Sequence, residues 1–206
     1  MADPTRIAIV IGTTRPGRRS AAVATWAHEA ATRHEAVTAG DVSVDIVDVA
    51  EFALPLLDEA IPAAWGRYAN PHTLKWAETV ASYDGFVFVT PEYNHAIPAS
   101  LKNAVDYLFA EWNDKAAAFV SFGSALGVRA VEQLRLILAE LKVATVRTQV
   151  ALSVYQDFEW SDPADPVDPG VLAPGEHHEA TLHEMIGELA AWAGALKALR
   201  RTAVAA

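Results

Sequence analysis

Short β-branched runs alternate along the chain with stretches of helical period, and this alternation limits the fold more than any other feature. "RIAIVIG", near the start, is apolar almost throughout, as a strand covered on both faces must be. "VSVDIVDV" (Val42–Val49) alternates with a period of two. "GFVFVT" (Gly85–Thr90), "KAAAFVSFG" (Lys115–Gly123) and "KVATVRTQV" (Lys142–Val150) complete a set of five. Between them lie helical segments at Ser20–His34, Pro71–Ser82, Pro98–Trp112 and Leu126–Leu141, each long enough for a crossover. Parallel strands joined in this way form a doubly wound α/β sheet.

A last helix, residues 176–200, places Leu182, Met185, Ile186, Leu189, Ala193 and Leu196 on one face, which should cover the sheet. Before it, residues 151–175 mix acids with prolines and read as a long surface loop or an arm reaching a neighbouring subunit. A chain of 206 residues with no internal repeat is expected to be one domain, 1–206. It holds no cysteine, which rules out thiol catalysis and suits a reducing, cytoplasmic setting. The opening "MADPTR" has no signal-peptide character and no apolar run is long enough to span a bilayer, so no membrane association is expected. A formal charge of −10 disfavours nucleic acid as well.

Open α/β sheets bind ligands beyond the carboxyl ends of their strands. Three loops meet that condition. The first, "GTTRPGRRS", contradicts the acidic balance: no acid lies between Asp3 and Glu29, whereas Arg6, Arg15, Arg18 and Arg19 do. It enters a helix, so its amides carry partial positive charge; Gly12 and Gly17 allow close approach, Thr13, Thr14 and Ser20 offer hydroxyls, and Arg15 and Arg18 offer forked donors. A plain basic loop capped at Ser20 fits the same residues. The loop has neither a P-loop lysine nor the three-glycine dinucleotide fingerprint, which leaves a monophosphate dianion as its best ligand.

The second loop, "TPEYNHAIP", offers backbone groups at Glu92, Tyr93 and Asn94 to the edge of a flat heterocycle, with Pro91 and Tyr93 to pack on it; a structural turn is the competing reading. His95 reads as a hydrogen-bonded spectator. The third, "SFGSALG", sets Gly123 and Gly127 beside Ser121 and Ser124, small enough for a ring to lie near backbone or simply for a helix to begin.

Together and in this order, "GTTRPGR", "PEYNHAIPASLKNAVDYL" and "SFGSALGVRAVEQLR" resemble the NADPH-dependent FMN reductase family of flavodoxin-like proteins, as do "LPLLDE" and the stretch running from "WGRYANPHTLKW" into "PEYN". The resemblance implies a three-layer sandwich with strand order 2-1-3-4-5. It sets an FMN phosphate against Thr13, Arg15, Arg18 and Ser20, and the isoalloxazine ring against Pro91, Glu92, Tyr93, Asn94 and the Ser121–Gly123 turn. Arg19 has no assured counterpart in it.

The implied reaction passes hydride from NADPH or NADH to FMN and on to an acceptor: free flavin for a partner monooxygenase, a quinone, an azo dye or a metal oxyanion. The flavin performs that chemistry, so no side chain is named as a catalytic acid or base. A flavodoxin-like electron carrier or a non-enzymatic module is the alternative, since a fold does not fix a function. The resemblance further implies a homodimer or homotetramer paired through the helix after "PEYN", where Leu101, Val105, Leu108 and Phe109 stand, although these fit a core equally well. His177, His178, Glu179 and His183 have spacing that suits one metal poorly and are expected at an exposed helix start. Trp26, Trp76 and Trp192 read as packing residues, and Trp112 and Trp160 as candidates for the border of the ligand or of a subunit contact.

Overall fold

The computed structural model describes residues 3–162, 164–165 and 168–204. Five parallel strands, β1 (Thr5–Ile11), β2 (Val42–Asp48), β3 (Gly85–Pro91), β4 (Lys115–Gly123) and β5 (Val143–Ser153), form one sheet in the order β2-β1-β3-β4-β5. This is the order the resemblance implied. Parallel pairing requires crossovers, supplied by α1 (Ser20–Thr32), the short α2 (Glu35–Thr38), α3 (Pro71–Ala81), α4 (Ala99–Asp106) and α5 (Val128–Glu140). A final helix, α6 (Glu176–Val204), returns across the sheet.

Because β1, β3 and β4 are covered on both sides, their residues are apolar without alternation, and Ile7, Ile9, Phe88, Phe119 and Val120 are fully buried. Two apolar layers result. One joins α1 and α6 to one face through Val23, Ala27, Leu182, Met185 and Leu189. The other joins α3, α4 and α5 to the opposite face through Trp76, Leu101, Val105, Leu134 and Leu138.

Sequence and structure differ where side-chain burial overrides period. The helix expected over Pro98–Trp112 ends at Asp106, and the chain then folds back through turns closed by Leu108 N to Val105 O (3.4 Å) and Trp112 N to Phe109 O (3.2 Å). The fold-back brings Trp112 into the core, where its indole Nε1 donates to Val105 O at 3.2 Å, so Trp112 borders no ligand. Leu101, Val105 and Leu108 are each 1% exposed and face the core of their own chain, which removes them as a dimer surface. Trp192 lies off the apolar stripe of α6 and is half exposed rather than packed.

The 151–175 segment also departs from a plain loop. The fifth strand runs on to Ser153, and a two-stranded antiparallel ribbon, β6 (Phe158–Glu159) with β7 (Val171–Leu172), follows it. Phe158 is buried against Phe122, with ring centroids 6.3 Å apart, so the ribbon packs on its own sheet. Of the histidine group, His178 bonds Asp157 (3.0 Å), His183 bonds Ala30 O (3.0 Å) and Glu179 pairs with Arg33 (2.9 Å). These contacts dock α6 on its neighbours. Among the described residues no cluster of metal-binding side chains occurs, and no helix is long and apolar enough to cross a membrane.

Candidate functional site

Register fixes where the strands end. Ile11 pairs with Val89, Val89 with Val120, Pro91 with Phe122, and Gly123 with Ser153, so the loops after β1, β3, β4 and β5 open on one edge of the sheet, beside the reversal of strand order. Gly12 permits this crowding: a Cβ there would stand 2.9 Å from Leu101 Cδ2 on α4. A cleft of about 170 Å³ results, lined by Arg15, Arg18, Ser20, Pro91, Tyr93 and Gly123 among others. Whole-ligand pockets usually measure about 300–1,000 Å³. The enclosed part is large enough for a phosphate group and too small for a whole flavin nucleotide.

The four expected phosphate residues stand in three different conditions, and three of them, Arg15, Arg18 and Ser20, line the cleft. Ser20, the first residue of α1, is fully buried and lines the cleft, yet its Oγ has no hydrogen-bond partner among the described residues. A buried hydroxyl without a partner costs about 1–3 kcal/mol, so an acceptor in the cleft would relieve it. Arg15 is exposed on the rim, its guanidinium without an ion pair among those of the described residues. Thr13 is 2% exposed; its Oγ1 accepts from Arg15 N (3.4 Å) and meets Tyr93 Oη (3.3 Å), which ties the first loop to the second. Arg18 has donors already in use: Nη1 bonds Thr13 O (2.9 Å) and Nη2 pairs with Asp48 at the end of β2. Arg18 shapes the loop before it can touch a ligand.

The second loop is a two-residue turn. Tyr93 and Ala96 exchange backbone hydrogen bonds of 2.9 and 3.1 Å, with Asn94 (φ 51°) and His95 (φ 67°) in the left-handed region at its tip. The amides of Glu92 and Tyr93 are thus bonded to Phe122 O and Ala96 O, and Asn94 stands exposed at the tip rather than lining the cleft. Glu92 also lines the cleft, but its carboxylate is already engaged: it pairs with the Arg129 guanidinium and accepts from Arg129 N at 3.2 Å. Arg129 Nη1 meets His95 Nε2 at 2.7 Å, so His95 is indeed hydrogen-bonded.

In the third loop, Ser121 is buried and its Oγ donates to Leu126 O at 2.7 Å, closing the turn. Gly123 faces the cleft directly. Gly127 sits beneath with φ 71°, and a Cβ there would stand 2.9 Å from Phe122 N and from Ser121 Cβ. Left-handed strain and backbone overlap together should make Gly127→Ala destabilising by about 1–3 kcal/mol. At about 2–4 °C per kcal/mol for a chain of this length, thermal denaturation should show a fall of several degrees. A melting temperature equal to the wild type's would show that the turn has room to adapt.

Gly17, Phe122 and Ser124, from the loops already read as binding, line the cleft too, as do Arg19, which had no assured role, and Val154, which had not been singled out. For Val154 a signal existed, since the end of the fifth strand opens on the same edge as the others. For Arg19 the sequence showed only its charge, because the partners that fix its place are distant in sequence.

A five-stranded doubly wound sheet in this order, with helices on both faces, is a flavodoxin-like fold. Residues 5–157 match the family described as NADPH-dependent FMN reductase, and the chain belongs to that family. It is 34% identical over 186 residues to an NAD(P)H-dependent FMN reductase of Schizosaccharomyces pombe, covering 89% of this chain and 84% of that one. Over 121 residues it is 33% identical to a quinone reductase of Pseudomonas putida, 56% of this chain and 58% of that one. A flavoenzyme NAD(P)H:(acceptor) oxidoreductase of Paracoccus denitrificans shares the fold, with a TM-score of 0.68 at 17% identity over 92% of this chain and 97% of the other.

Proposed function

We propose that the protein is an NAD(P)H-dependent flavin oxidoreductase that holds FMN by its phosphate in the first loop and lays the ring over the second and third. The carrying observation is the buried, unpartnered Ser20 Oγ beside the exposed Arg15 at the amino end of α1, in the cleft that Tyr93 and Gly123 also line. Helix amides and a guanidinium favour a dianion there. When bound, FMN supplies hydride acceptance from NAD(P)H and electron delivery to a second acceptor.

The chain's own residues orient and exclude. Ser20 and Arg15 fix the tail, Tyr93 holds Thr13 and so sets the gap between the first two loops, and Gly123 leaves no side chain between the ring and the sheet edge. The Glu92–Arg129 pair binds the second loop to α5, so both ring-facing turns move as one body. The side left open by the shallow cleft admits a nicotinamide and then an acceptor in turn. A quinone, or free flavin consumed by a partner monooxygenase, fits that open side.

Self-association as a homodimer or homotetramer belongs to the same reading. The apolar side chains available for it include Leu56 (83% exposed) and Trp65 (70% exposed), on the loop between β2 and α3. A cytoplasmic setting is also proposed, in keeping with the cysteine-free composition. The deciding experiment follows consumption of NADPH by flavin-free protein with a quinone present, before and after FMN is added. Turnover should appear only with FMN; equal rates without it would overturn the proposal.

A further inference from the structure

Arg18 and Arg19 are neighbours in sequence and leave the first loop in different directions. Arg18 ties it to Asp48 at the end of β2. Arg19 lines the cleft, yet its guanidinium is committed to the ribbon that follows β5. Nε donates to Pro169 O at 2.6 Å, Nη2 donates to Asp168 O at 3.3 Å, and the group lies 4.4 Å from the Trp160 ring centroid and 5.8 Å from that of Phe158. The ribbon is in turn fastened to the ring-facing turn. Trp160 Nε1 donates to Val154 O (3.2 Å), Val154 N donates to Gly123 O (3.3 Å), and Phe158 packs on Phe122.

We propose that Arg19 and Trp160 are positioning residues that set how long FMN stays bound, by making the β6–β7 ribbon a brace between the phosphate loop and the ring-facing turn. The inference rests on the phosphate site proposed above. Thr14 to Gly17 are exposed, and Gly17 takes a left-handed φ of 65°, so this stretch of the loop has little packing of its own. Beyond the anchors of Gly12 and Thr13 at its root, its cradle geometry depends on the two tethers. A cradle that must be ordered at each binding event holds its ligand less tightly than one already ordered, and the loss falls mainly on the dissociation rate. Two hydrogen bonds to carbonyls and a stacked guanidinium make a tether strong enough for that role. Asp168 supports it from the other side: its carboxylate accepts from the amides of Ser161, Asp162 and Gly170, holding the Asp168 and Pro169 carbonyls toward Arg19.

The test is FMN release from the preloaded, full-length protein after rapid dilution, followed by the return of flavin fluorescence. Arg19→Met and Trp160→Ala should each release FMN about tenfold faster, which corresponds to about 1.4 kcal/mol. Trp160→Phe keeps a ring under the guanidinium and should stay within about twofold of the wild type. In the flavin-free protein, amide hydrogen exchange at residues 14–19 should quicken in Arg19→Met and Trp160→Ala, a change that loss of a ligand contact alone would not produce. Wild-type release rates in both variants would overturn the brace while leaving the phosphate site standing. Failure of the wild type to take up FMN at saturating concentration would instead remove the phosphate site, and the brace with it.

Discussion

Arg15→Ala weakens FMN binding about ten- to a hundredfold in a fluorescence titration, with the flavin-free protein melting at the wild-type temperature. The size follows from the loss of one charge-assisted hydrogen bond, worth about 1.5–3 kcal/mol. The unchanged melting follows from geometry. Arg15 is exposed, and the hydrogen bond it makes among the described residues, Arg15 N to Thr13 Oγ1 at 3.4 Å, belongs to the backbone and survives truncation. Arg18→Ala should behave differently, because it strips Asp48 of a partner where the two side chains are only 16–19% exposed, and it also removes a donor from Thr13 O. Both stability and affinity should fall in that variant. Salt gives a second criterion: added salt should weaken wild-type binding, and the dependence should be shallower in Arg15→Ala, since an exposed charge is screened over about 10 Å at 0.1 M. An Arg15→Ala dissociation constant equal to the wild type's would remove the phosphate assignment.

Strand placement was legible because burial on both faces leaves a plain apolar mark. "IAIVI" and "FVFVT" read as buried strands, and so they are. The gathering of three loops on one edge followed from parallel topology alone. The individual duties within those loops did not, since Arg15, Arg18 and Arg19 look interchangeable as letters. They separate only by what stands nearby in space: solvent for Arg15, Asp48 for Arg18, and the carbonyls of Asp168 and Pro169, about 150 positions along the chain, for Arg19. Glu92 and Ser121 show the same limit. Both lie in the motifs where they were expected, but the carboxylate holds Arg129 and the hydroxyl holds Leu126 O, so they build the turns over which a ring is proposed to lie. The end of the helix after "PEYN" was hidden for another reason. Leu101, Val105 and Leu108 keep helical spacing past the point where Trp112 pulls the chain inward.

Trp112 is accordingly where a substitution should cost the fold most. It is fully buried, with Phe86 at 4.9 Å, Trp76 at 6.0 Å and Phe88 at 6.1 Å between ring centroids, and it caps one apolar layer beneath β3. Trp112→Ala removes the indole from this cluster and leaves a cavity among the rings of Phe86 and Phe88 on β3 and Trp76 on α3. It also takes away the donor that closes the fold-back onto Val105 O. Buried Trp→Ala changes cost about 3–5 kcal/mol, against a total stability of about 5–15 kcal/mol for a domain. A fall in melting temperature of roughly 10 °C is expected, at about 2–4 °C per kcal/mol. Trp192→Ala is the matched control, because Trp192 is 50% exposed and its loss should change stability by no more than about 0.5 kcal/mol. The damage should also reach the site, since the fold-back follows α4, whose Ser100 Oγ donates to Gly12 O at 2.9 Å at the root of the phosphate loop. FMN affinity in Trp112→Ala, measured well below its melting temperature, should therefore fall several-fold, whereas Trp192→Ala should bind as the wild type does. Equal melting temperatures for the two variants would mean that the aromatic cluster closes over the lost ring, and that the turn after α4 is held by its backbone alone.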